Sequence, residues 1–295
     1  MKENTIGIIG GAGFLGRNMI EKLDKSNSIT VFDVGVRPEF LPESIVYHDL
    51  GKHKIDNIKD CQFELIYHFA GNSSVGHSVK DPIMDVERSV VPLLEILEFA
   101  KNNCKKFIFS SSAACYGEML DQSTRYQDNP ISPYGISKKM SELYIKYYSN
   151  NSHLNVEIYR FFSLFGKYNR KQVVYDTVVR LLENPSELVV YNPNSTRDFI
   201  FVDDAIKIIC NYNPGTNPTD IGTGTSTSIL SLTKLICQVL NCDPKITTIQ
   251  NKFVGDPIMQ IADVSQIEAD GFIFENHSLV KNIVTTIDWI IKERK

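Results

Sequence analysis

The stretch IIGGAGFLG, residues 8–16, has glycines at positions 10, 11, 13 and 16 and continues the apolar run from Thr5 to Ile9. Each glycine weakens regular secondary structure, so four within seven residues indicate unusual backbone angles or a ligand against the backbone. The apolar run predicts a buried strand, and residues 14–23 have the apolar spacing of a helix. The stretch therefore predicts a strand, a glycine turn and a helix.

A strand–turn–helix of this kind can bind the pyrophosphate of a dinucleotide. Gly10 would permit the tight bend, Gly13 would let the backbone approach the pyrophosphate, and Gly16 would let the helix pack closely on the sheet. Backbone N–H groups at the start of the helix would face the anion. The turn is therefore predicted to bind a dinucleotide.

The end of the next strand predicts which dinucleotide is bound. Asp33 lies about twenty residues beyond the turn, where a carboxylate accepts hydrogen bonds from a ribose and repels a 2′-phosphate. This favours NAD over NADP. Arg37 is of the type that binds a 2′-phosphate, and it keeps NADP open as an alternative.

The composition restricts the class of protein. The chain has 295 residues, 42% hydrophobic and 22% charged, enough for one large or two smaller α/β domains. The net charge of −4 argues against a nucleic-acid partner. No apolar run approaches the roughly 20 residues of a membrane span, and we see no leader pattern, so we expect a cytoplasmic protein without membrane association. The six cysteines lack metal-ligand spacing, which predicts free thiols and no metal site.

Strands alternate with helices through the first half of the chain, which predicts parallel βαβ units. The predicted strands cover residues 5–9, 28–32, 45–47, 65–69, 106–110 and 156–159, and helices begin near residues 14, 81 and 133. The predicted fold class is α/β, a Rossmann-type doubly wound parallel sheet with a smaller, interleaved C-terminal substrate-binding region. The NAD-binding domain is predicted at 1–165, with 196–221 returning to it, and the substrate-binding region at 166–195 and 222–295.

Four further motifs carry a family resemblance. They are His68–Gly71 (HFAG), Phe109–Gly117 (FSSSAACYG), Ser132–Lys138 (SPYGISK) and Arg197–Asp204 (RDFIFVDD). Together with the Gly-x-x-Gly-x-x-Gly spacing, they resemble the nucleotide-sugar epimerases of the extended short-chain dehydrogenase/reductase family. The resemblance implies an NAD-dependent isomerase that inverts carbon 4 of a nucleotide-linked hexose through a transient 4-keto intermediate.

Tyr134 and Lys138 are the predicted catalytic pair. They lie four residues apart at the start of a predicted helix, which places both side chains on one face. Free tyrosine has a pKa of about 10, and a nearby ammonium lowers it, so Tyr134 is expected to act as a general base. The resemblance implies that Lys138 also binds the nicotinamide ribose and that Ser112 hydrogen-bonds the same sugar hydroxyl.

The resemblance also implies contacts for the cofactor and the substrate. The predicted cofactor-binding residues are Gly10, Gly13, Phe14, Leu15, Gly16, Asp33, Asp49, Leu50, Phe69, Ala70, Gly71, Ser110, Tyr134, Lys138 and Phe162. The predicted substrate-binding residues are Asn72, Ser74, Ser112, Ser163 and Arg197. Arg197 suits a pyrophosphate because a guanidinium binds phosphate oxygens in a bidentate way; its alternative role is an ion pair with Asp198.

Two other functions fit the same fold. An NAD(P)H-dependent 4-keto reductase acting on a nucleotide sugar would use the same serine, tyrosine and lysine, and a dinucleotide-sensing regulator would bind without turnover. Retention of Tyr134 and Lys138 disfavours the regulator. Related dehydratases place an Asp-Glu pair after the serine, where this chain has Ala113 and Ala114, and this disfavours dehydration.

Two helical segments have apolar surfaces wider than one sheet-facing stripe requires, residues 86–100 and 134–148. Ordinary core packing is one explanation. The resemblance implies a dimer through a bundle of these helices, so we predict a homodimer with an isologous interface.

Overall fold

The computed structural model describes residues 4–23, 25–51, 61–119, 127–251, 253–272 and 278–294. The chain forms two compact units. Unit 1 comprises residues 1–115, 128–160 and 213–219, and unit 2 comprises residues 116–127, 161–212 and 220–295.

The first part of the chain alternates strands with helices as predicted. Its strands are β1 (Thr5–Ile9), β2 (Ser28–Asp33), β3 (Val46–Asp49), β4 (Phe63–His68), β5 (Cys104–Ser112) and β6 (Asn155–Phe161). Its helices are α1 (Phe14–Lys22), α2 (Val75–Lys80), α3 (Pro82–Asn103) and α4 (Pro133–Asn151). Short β-branched and aromatic runs form the strands, while Pro at the first position starts α3 and α4.

The larger sheet confirms the predicted Rossmann-type fold. Its strand order is β10-β6-β5-β4-β1-β2-β3, in which β10 is Thr219–Ile221. The pairs β1–β2, β2–β3, β1–β4 and β4–β5 are parallel. The chain builds outward from β1 to β3 and then restarts beside β1 with β4, so the order reverses between β1 and β4. Ligands bind at the carboxyl ends of strands at such a switch point.

The register of the parallel strands aligns their carboxyl ends. Ile9 pairs with Phe32 and His68, and His68 pairs with Phe109. The residues that follow these positions are therefore brought to one edge of the sheet. They include the glycine turn, Asp33 and the HFAG and FSSSAACYG segments that end or follow β4 and β5.

The glycine turn requires glycine at two positions for different reasons. Gly10 has φ 80°, and a Cβ there would lie 2.7 Å from the backbone nitrogen of Ala70. A Cβ on Gly16 would lie 2.4 Å from the carbonyl oxygen of Gly10, so Gly16 lets α1 approach the turn itself, rather than the sheet as predicted. A Cβ on Gly13 would meet only the Gly10 oxygen, at 3.3 Å, so the protein leaves space beside this residue.

Each unit has its own core. In unit 1, fully buried side chains from the sheet and α3 pack together, among them Phe32, Ile66, Leu93, Leu97 and Phe107. In unit 2 the core joins side chains of the later strands and helices, among them Phe165, Val178, Phe199, Leu232 and Ile283.

Unit 2 contains the remaining strands and helices. The strands are β7 (Ser163–Phe165), β8 (Glu187–Tyr191), β9 (Thr196–Phe201), β11 (Ser226–Ser228) and β12 (Lys245–Ile249). The helices are α5 (Gln172–Glu183), α6 (Val202–Asn211), α7 (Ile229–Leu240), α8 (Ser265–Ala269) and α9 (Leu279–Glu293). They form a three-stranded sheet, β11-β9-β7, and a two-stranded sheet, β12-β8. Among the helices of the described residues, none has the length and apolar character needed to cross a membrane.

Candidate active site

The glycine turn and the end of β2 are joined by a carboxylate. Asp33 Oδ2 accepts a hydrogen bond from the N–H of Ala12 at 2.8 Å, and Oδ1 accepts one from the N–H of Val34 at 2.8 Å. These bonds hold the predicted ribose-binding acid against the turn. Helix α1 begins after Gly13 with no side-chain cap and no acidic residue in its first turn. Its N-terminus therefore suits an anion.

The predicted cofactor-binding residues of unit 1 lie along the carboxyl edge of its parallel strands. The turn and first helical residues follow β1, and the other members end or follow β2 to β5: Asp33, Asp49, Leu50, Phe69, Ala70, Gly71 and Ser110. The uncapped helix start, the space beside Gly13 and the anchored Asp33 together fit an NAD molecule.

The side chain of Arg37 is hydrogen-bonded to backbone carbonyl groups and not to Asp33. Its guanidinium donates to the carbonyl oxygens of Ile45, Leu41 and Pro42 at 2.7, 3.3 and 2.6 Å. These carbonyl contacts give Arg37 a structural role in this loop. The alternative of NADP, which rested on this arginine, therefore loses its support.

The three predicted catalytic side chains meet where β5 ends and α4 begins. The side chain of Ser112 lies close enough to that of Tyr134 to lower the pKa of the phenol. Lys138 is buried; its Nζ donates to the carbonyl oxygen of Ser110 at 2.7 Å and lies 5.9 Å from the centroid of the Tyr134 ring. Ser132 caps α4 by accepting a hydrogen bond from the N–H of Gly135 at 3.1 Å.

The pKa of Tyr134 differs from the sequence expectation. Burial raises it to about 12, while the hydrogen bond from Ser112 acts in the opposite direction. The prediction that Lys138 makes Tyr134 more acidic than free tyrosine is therefore wrong for the protein by itself. Burial also lowers the pKa of Lys138 to about 8. Tyr134 is thus a protonated phenol at neutral pH, whereas the pKa of Lys138 lies close to neutral pH.

Helix α2, which sequence patterns did not predict, fixes the start of α4. The N–H of Tyr134 donates to the buried Ser78 Oγ at 3.0 Å. Ser74, a predicted substrate contact, caps α2 by accepting from the N–H of His77 at 3.2 Å. Asn72, another predicted contact, is held by Ser74: its Oδ1 accepts from the Ser74 N–H and its Nδ2 donates to the Ser74 oxygen, both at 3.0 Å.

A buried ion-pair network lies behind the catalytic residues. Glu142 is fully buried and accepts from Arg160 Nε at 2.8 Å, Arg160 Nη2 at 2.6 Å and Ser111 Oγ at 2.6 Å. Asp128 pairs with the same guanidinium at 2.6 and 3.0 Å and with Lys139. The network ties α4 to the residue that precedes Ser112. Sequence reasoning missed it, although Glu142 lies two helical turns beyond Tyr134 on the same face.

Unit 2 contains a cavity of about 240 Å³. It brings together two predicted substrate-binding residues, Ser163 and Arg197, with Lys171, Gln172 and Asp256 among its other lining residues. Phe162, a predicted cofactor contact, is buried in this unit beside Ser163 and donates its N–H to the Ile221 oxygen at 3.0 Å.

Arg197 pairs with Asp256 and not with its neighbour Asp198. Its Nη2 donates to Asp256 Oδ1 and to the Pro257 oxygen, both at 2.6 Å. Asp198 accepts instead from backbone N–H groups, including those of Thr223 and Gly224. The predicted alternative of an ion pair with Asp198 is therefore wrong.

The start of α5 forms one wall of the cavity. Lys171 precedes this helix, which has no side-chain cap and no acidic residue in its first turn. Burial lowers the pKa of Lys171. A helix N-terminus with a lysine and an arginine beside it suits the oxygens of a diphosphate. Within the described ranges, no group of His, Cys, Asp and Glu could hold a metal ion.

Comparison with known proteins agrees with this geometry. The model of the NAD-dependent epimerase/dehydratase family matches residues 6–212. A putative UDP-glucose 4-epimerase of Methanocaldococcus jannaschii is 32% identical over 248 residues, which are 78% of this chain and 80% of the relative.

Solved structures match nearly the whole chain. A UDP-N-acetylglucosamine 4-epimerase from Methanobrevibacter ruminantium M1, in complex with UDP-N-acetylmuramic acid, is 26% identical with a TM-score of 0.88. The Thermotoga maritima UDP-glucose 4-epimerase with UDP-glucose is 25% identical, also with a TM-score of 0.88. Each match covers 99% of this chain and 100% of the other.

The Glu142 network predicts a pH-dependent stability. Burial opposes ionisation of Glu142, but the hydrogen bonds and charge of Arg160 outweigh it and lower its pKa below 4.5. The contribution of this carboxylate is therefore present above pH 4.5 and lost as the pH falls through the lowered pKa. At neutral pH, Glu142→Gln should lower the free energy of unfolding in urea by about 3 kcal/mol, because it leaves the buried guanidinium with one fewer partner.

The matched control is Glu98→Gln, which removes a carboxylate from an exposed ion pair with Lys101. It should change the free energy of unfolding by less than about 1 kcal/mol. An equal loss in both variants, or a difference between wild type and Glu142→Gln that does not shrink below pH 4.5, would contradict the role of the network.

Proposed function

The chain belongs to the NAD-dependent epimerase/dehydratase family, and we propose that it inverts carbon 4 of a UDP-linked hexose through a transient 4-keto sugar. The observation that carries this function is the convergence of Ser112, Tyr134 and Lys138 at the carboxyl end of β5, in the unit that holds the glycine turn and Asp33. The 4-epimerases among its relatives support epimerisation over reduction, and their UDP-sugars support UDP as the nucleotide.

The reaction uses the chain's own acid–base groups at one substrate oxygen. As a phenolate, Tyr134 accepts the proton of the 4-hydroxyl as the bond from carbon 4 to hydrogen breaks, and returns it when the ketone is reduced. Ser112 hydrogen-bonds the same oxygen. Bound NAD would supply the hydride chemistry at carbon 4. Return of the hydrogen to the opposite face of the ketone inverts the configuration.

The high pKa of Tyr134 means that its own proton must leave before the residue can act as a base. A phenol with a pKa of about 12 does not lose its proton to bulk water at neutral pH. The buried ammonium of Lys138 lies close enough to favour negative charge on the oxygen as the proton arrives or leaves. Ser112 limits how far burial can raise the pKa, because its hydrogen bond lowers it.

The cofactor contacts follow from the edge of the sheet in unit 1. We assign the pyrophosphate to the turn of Gly10, Gly13 and Gly16, the adenosine ribose to Asp33, and the nicotinamide ribose to Lys138. The remaining contacts are assigned to Phe14, Leu15, Asp49, Leu50, Phe69, Ala70, Gly71, Ser110 and Phe162. The proposed NAD-binding domain is residues 1–165 with 196–221, and the proposed substrate-binding region is 166–195 and 222–295.

The cavity of unit 2 is proposed to bind the nucleotide diphosphate. Lys171, Arg197 and the start of α5 supply positive charge and N–H donors to its wall, and Ser163 supplies a hydroxyl. Asp256 neutralises part of the Arg197 charge at a distance of 2.6 Å. Its carboxylate is therefore a competitor for the phosphate oxygens. Asn72 and Ser74 are assigned to the sugar.

The proposed assembly is a homodimer in the cytoplasm. Helix α4 exposes apolar side chains at helical spacing, with Ile136 47% exposed, Leu143 57% and Tyr147 61%. Helix α3, packed against α4, exposes Val91 as well. Such a surface suits burial against a second copy. The free cysteines support the reducing location.

The function is tested with a panel of UDP-, GDP-, CDP- and dTDP-linked hexoses, incubated with the purified protein without added cofactor. Inversion at carbon 4, followed by NMR of its proton, is the expected result for a UDP-hexose. Tyr134→Phe should slow turnover at least about a hundredfold, because it removes the acid–base group. It should retain the bound NAD, measured after denaturation.

The matched control is Tyr148→Phe, which removes a hydroxyl from the same helix where it contacts Glu98. Turnover should be unchanged. Consumption of added NADH or NADPH by a 4-keto sugar without inversion would favour the reductase instead. Full turnover by Tyr134→Phe would refute the assigned base.

The diphosphate proposal predicts opposite effects at two paired residues. Arg197→Lys should raise KM about tenfold, since a lysine lacks the bidentate fork, while kcat changes little. Asp256→Asn should lower KM, because it frees the Arg197 charge for the diphosphate. If the only role of Arg197 were to stabilise the loop that contains Asp256, both variants would raise KM. Steady-state kinetics with the accepted nucleotide sugar separate these outcomes.

The dimer proposal predicts twice the chain mass by light scattering at micromolar concentration. Leu143→Lys should give the mass of one chain, because it places a charge in the proposed interface. Val280→Lys makes the same change at an exposed valine of α9 in unit 2, and it should leave the dimer intact. A wild-type protein with the mass of one chain would refute the proposal.

A further inference from the structure

One buried carboxylate beside the catalytic residues has no part in the mechanism above. Asp85 lies in the first turn of α3 with its side chain 1% exposed. Its Oδ1 accepts a hydrogen bond from Asn72 Nδ2 at 2.6 Å, and its Oδ2 has no hydrogen-bond partner among the described residues. A carboxylate buried with one oxygen unpaired destabilises a fold, so its presence calls for a role in the site.

Asp85 and the backbone of Ser74 together fix the orientation of the Asn72 amide. An amide has one donor end and one acceptor end, and Asp85 can only bond the donor end while it is ionised. The Nδ2 of Asn72 points to Asp85, and its Oδ1 accepts from the N–H of Ser74 at 3.0 Å. The backbone N–H of Asn72 is held by Ser89 Oγ at 3.0 Å. Asn72, a proposed sugar contact, is thus held by hydrogen bonds to three residues: Asp85, Ser74 and Ser89.

The same carboxylate acts on the catalytic pair through its charge. Helix α2 packs against both α3 and α4, and its Ser78 accepts the N–H of Tyr134. The titratable side chains of α2, His77 and Lys80, are both exposed. On α4, the charge of Asp85 raises the pKa of both Tyr134 and Lys138. Removing it therefore lowers both values.

We propose that Asp85 is a positioning residue for the epimerase reaction: together with Ser74 it fixes the Asn72 amide, and it places a buried carboxylate on α3, which packs against the helix that carries Tyr134 and Lys138. The expected effect of Asp85 on turnover rests on the proposed function. Its expected effect on the charge of Lys138 does not, because that charge is a property of the folded protein.

The need for such a charge follows from the burial of Lys138. Desolvation lowers its pKa to about 8, close to neutral pH, and the charges of Cys115, Asp85 and Glu142 act in the opposite direction. Glu142 is already engaged with Arg160, whereas Asp85 has an unpaired oxygen. Asp85 is therefore the less neutralised of the two carboxylates.

The test is the titration of Lys138 in protein labelled with ¹³C-lysine, followed by NMR and assigned with Lys138→Met. Asp85→Asn keeps the size of the side chain and removes the charge. It should lower the pKa of Lys138 by about 0.5 to 1 unit. The matched control, Glu87→Gln, removes an exposed carboxylate from the same helix and should leave that pKa unchanged.

Turnover of the accepted nucleotide sugar provides the second measurement. In Asp85→Asn, the loss of activity on the alkaline side should begin at a lower pH, by the same shift as the lysine titration. A merely structural defect would lower kcat equally at every pH. The KM of Asp85→Asn combined with Asn72→Ala should equal that of Asn72→Ala alone, since the carboxylate acts on the sugar through this amide.

An unchanged Lys138 pKa in Asp85→Asn would overturn the charge role, and additive effects on KM would overturn the orientation of Asn72. If the asparagine variant does not fold, Asp85→Ser removes the same charge with a smaller side chain. The lysine titration needs no substrate. A protein that inverts no sugar but shows the pKa shift therefore refutes the proposed function and leaves the electrostatic role of Asp85 standing.

Discussion

The hydrogen bond from the buried ammonium of Lys138 to the carbonyl oxygen of Ser110, 2.7 Å long, joins α4 to the end of β5. An ammonium in the interior is costly because it leaves water, and its pKa shows the cost. The rest of the site is arranged around this group. Its ring neighbours are Phe109 and Tyr134, and Cys115, Asp85 and Glu142 oppose the lowering of its pKa.

This arrangement explains why Tyr134 is a phenol with a high pKa rather than an acidified one. Burial disfavours the phenolate of Tyr134 just as it disfavours the ammonium of Lys138. The proton of Tyr134 must therefore leave before the residue can act as a base, and Ser112 favours that loss because it lowers the pKa.

The proposed recognition of the nucleotide relies on a different arrangement of charges, in unit 2. Its cavity combines a helix N-terminus with Lys171 and Arg197. The carboxylate of Asp256 accepts a hydrogen bond from the Arg197 guanidinium. Charge of this kind attracts any diphosphate. Under the proposed function, the choice of sugar falls to neutral hydrogen-bonding groups, whose donors and acceptors have fixed directions.

The sequence by itself determined the Rossmann sheet, the glycine turn, the acid at the end of β2 and the Tyr134–Lys138 pair. These features depend on short-range patterns: apolar runs, glycines that relieve backbone strain, and a four-residue helical spacing. The family resemblance added Ser112 and the NAD-dependent chemistry. The sequence did not predict α2, because its six residues are held by Ser74 and by packing between two helices rather than by an apolar pattern.

Only the tertiary structure decided the pKa of Tyr134, the partner of Arg197 and the burial of Asp85 and Glu142. Each depends on residues distant in the chain, such as the pairing of Arg197 with Asp256 across 59 positions and that of Asp85 with Asn72 across 13. Burial and desolvation are properties of the packed interior, and no local spacing in a sequence reports how much water a side chain has lost.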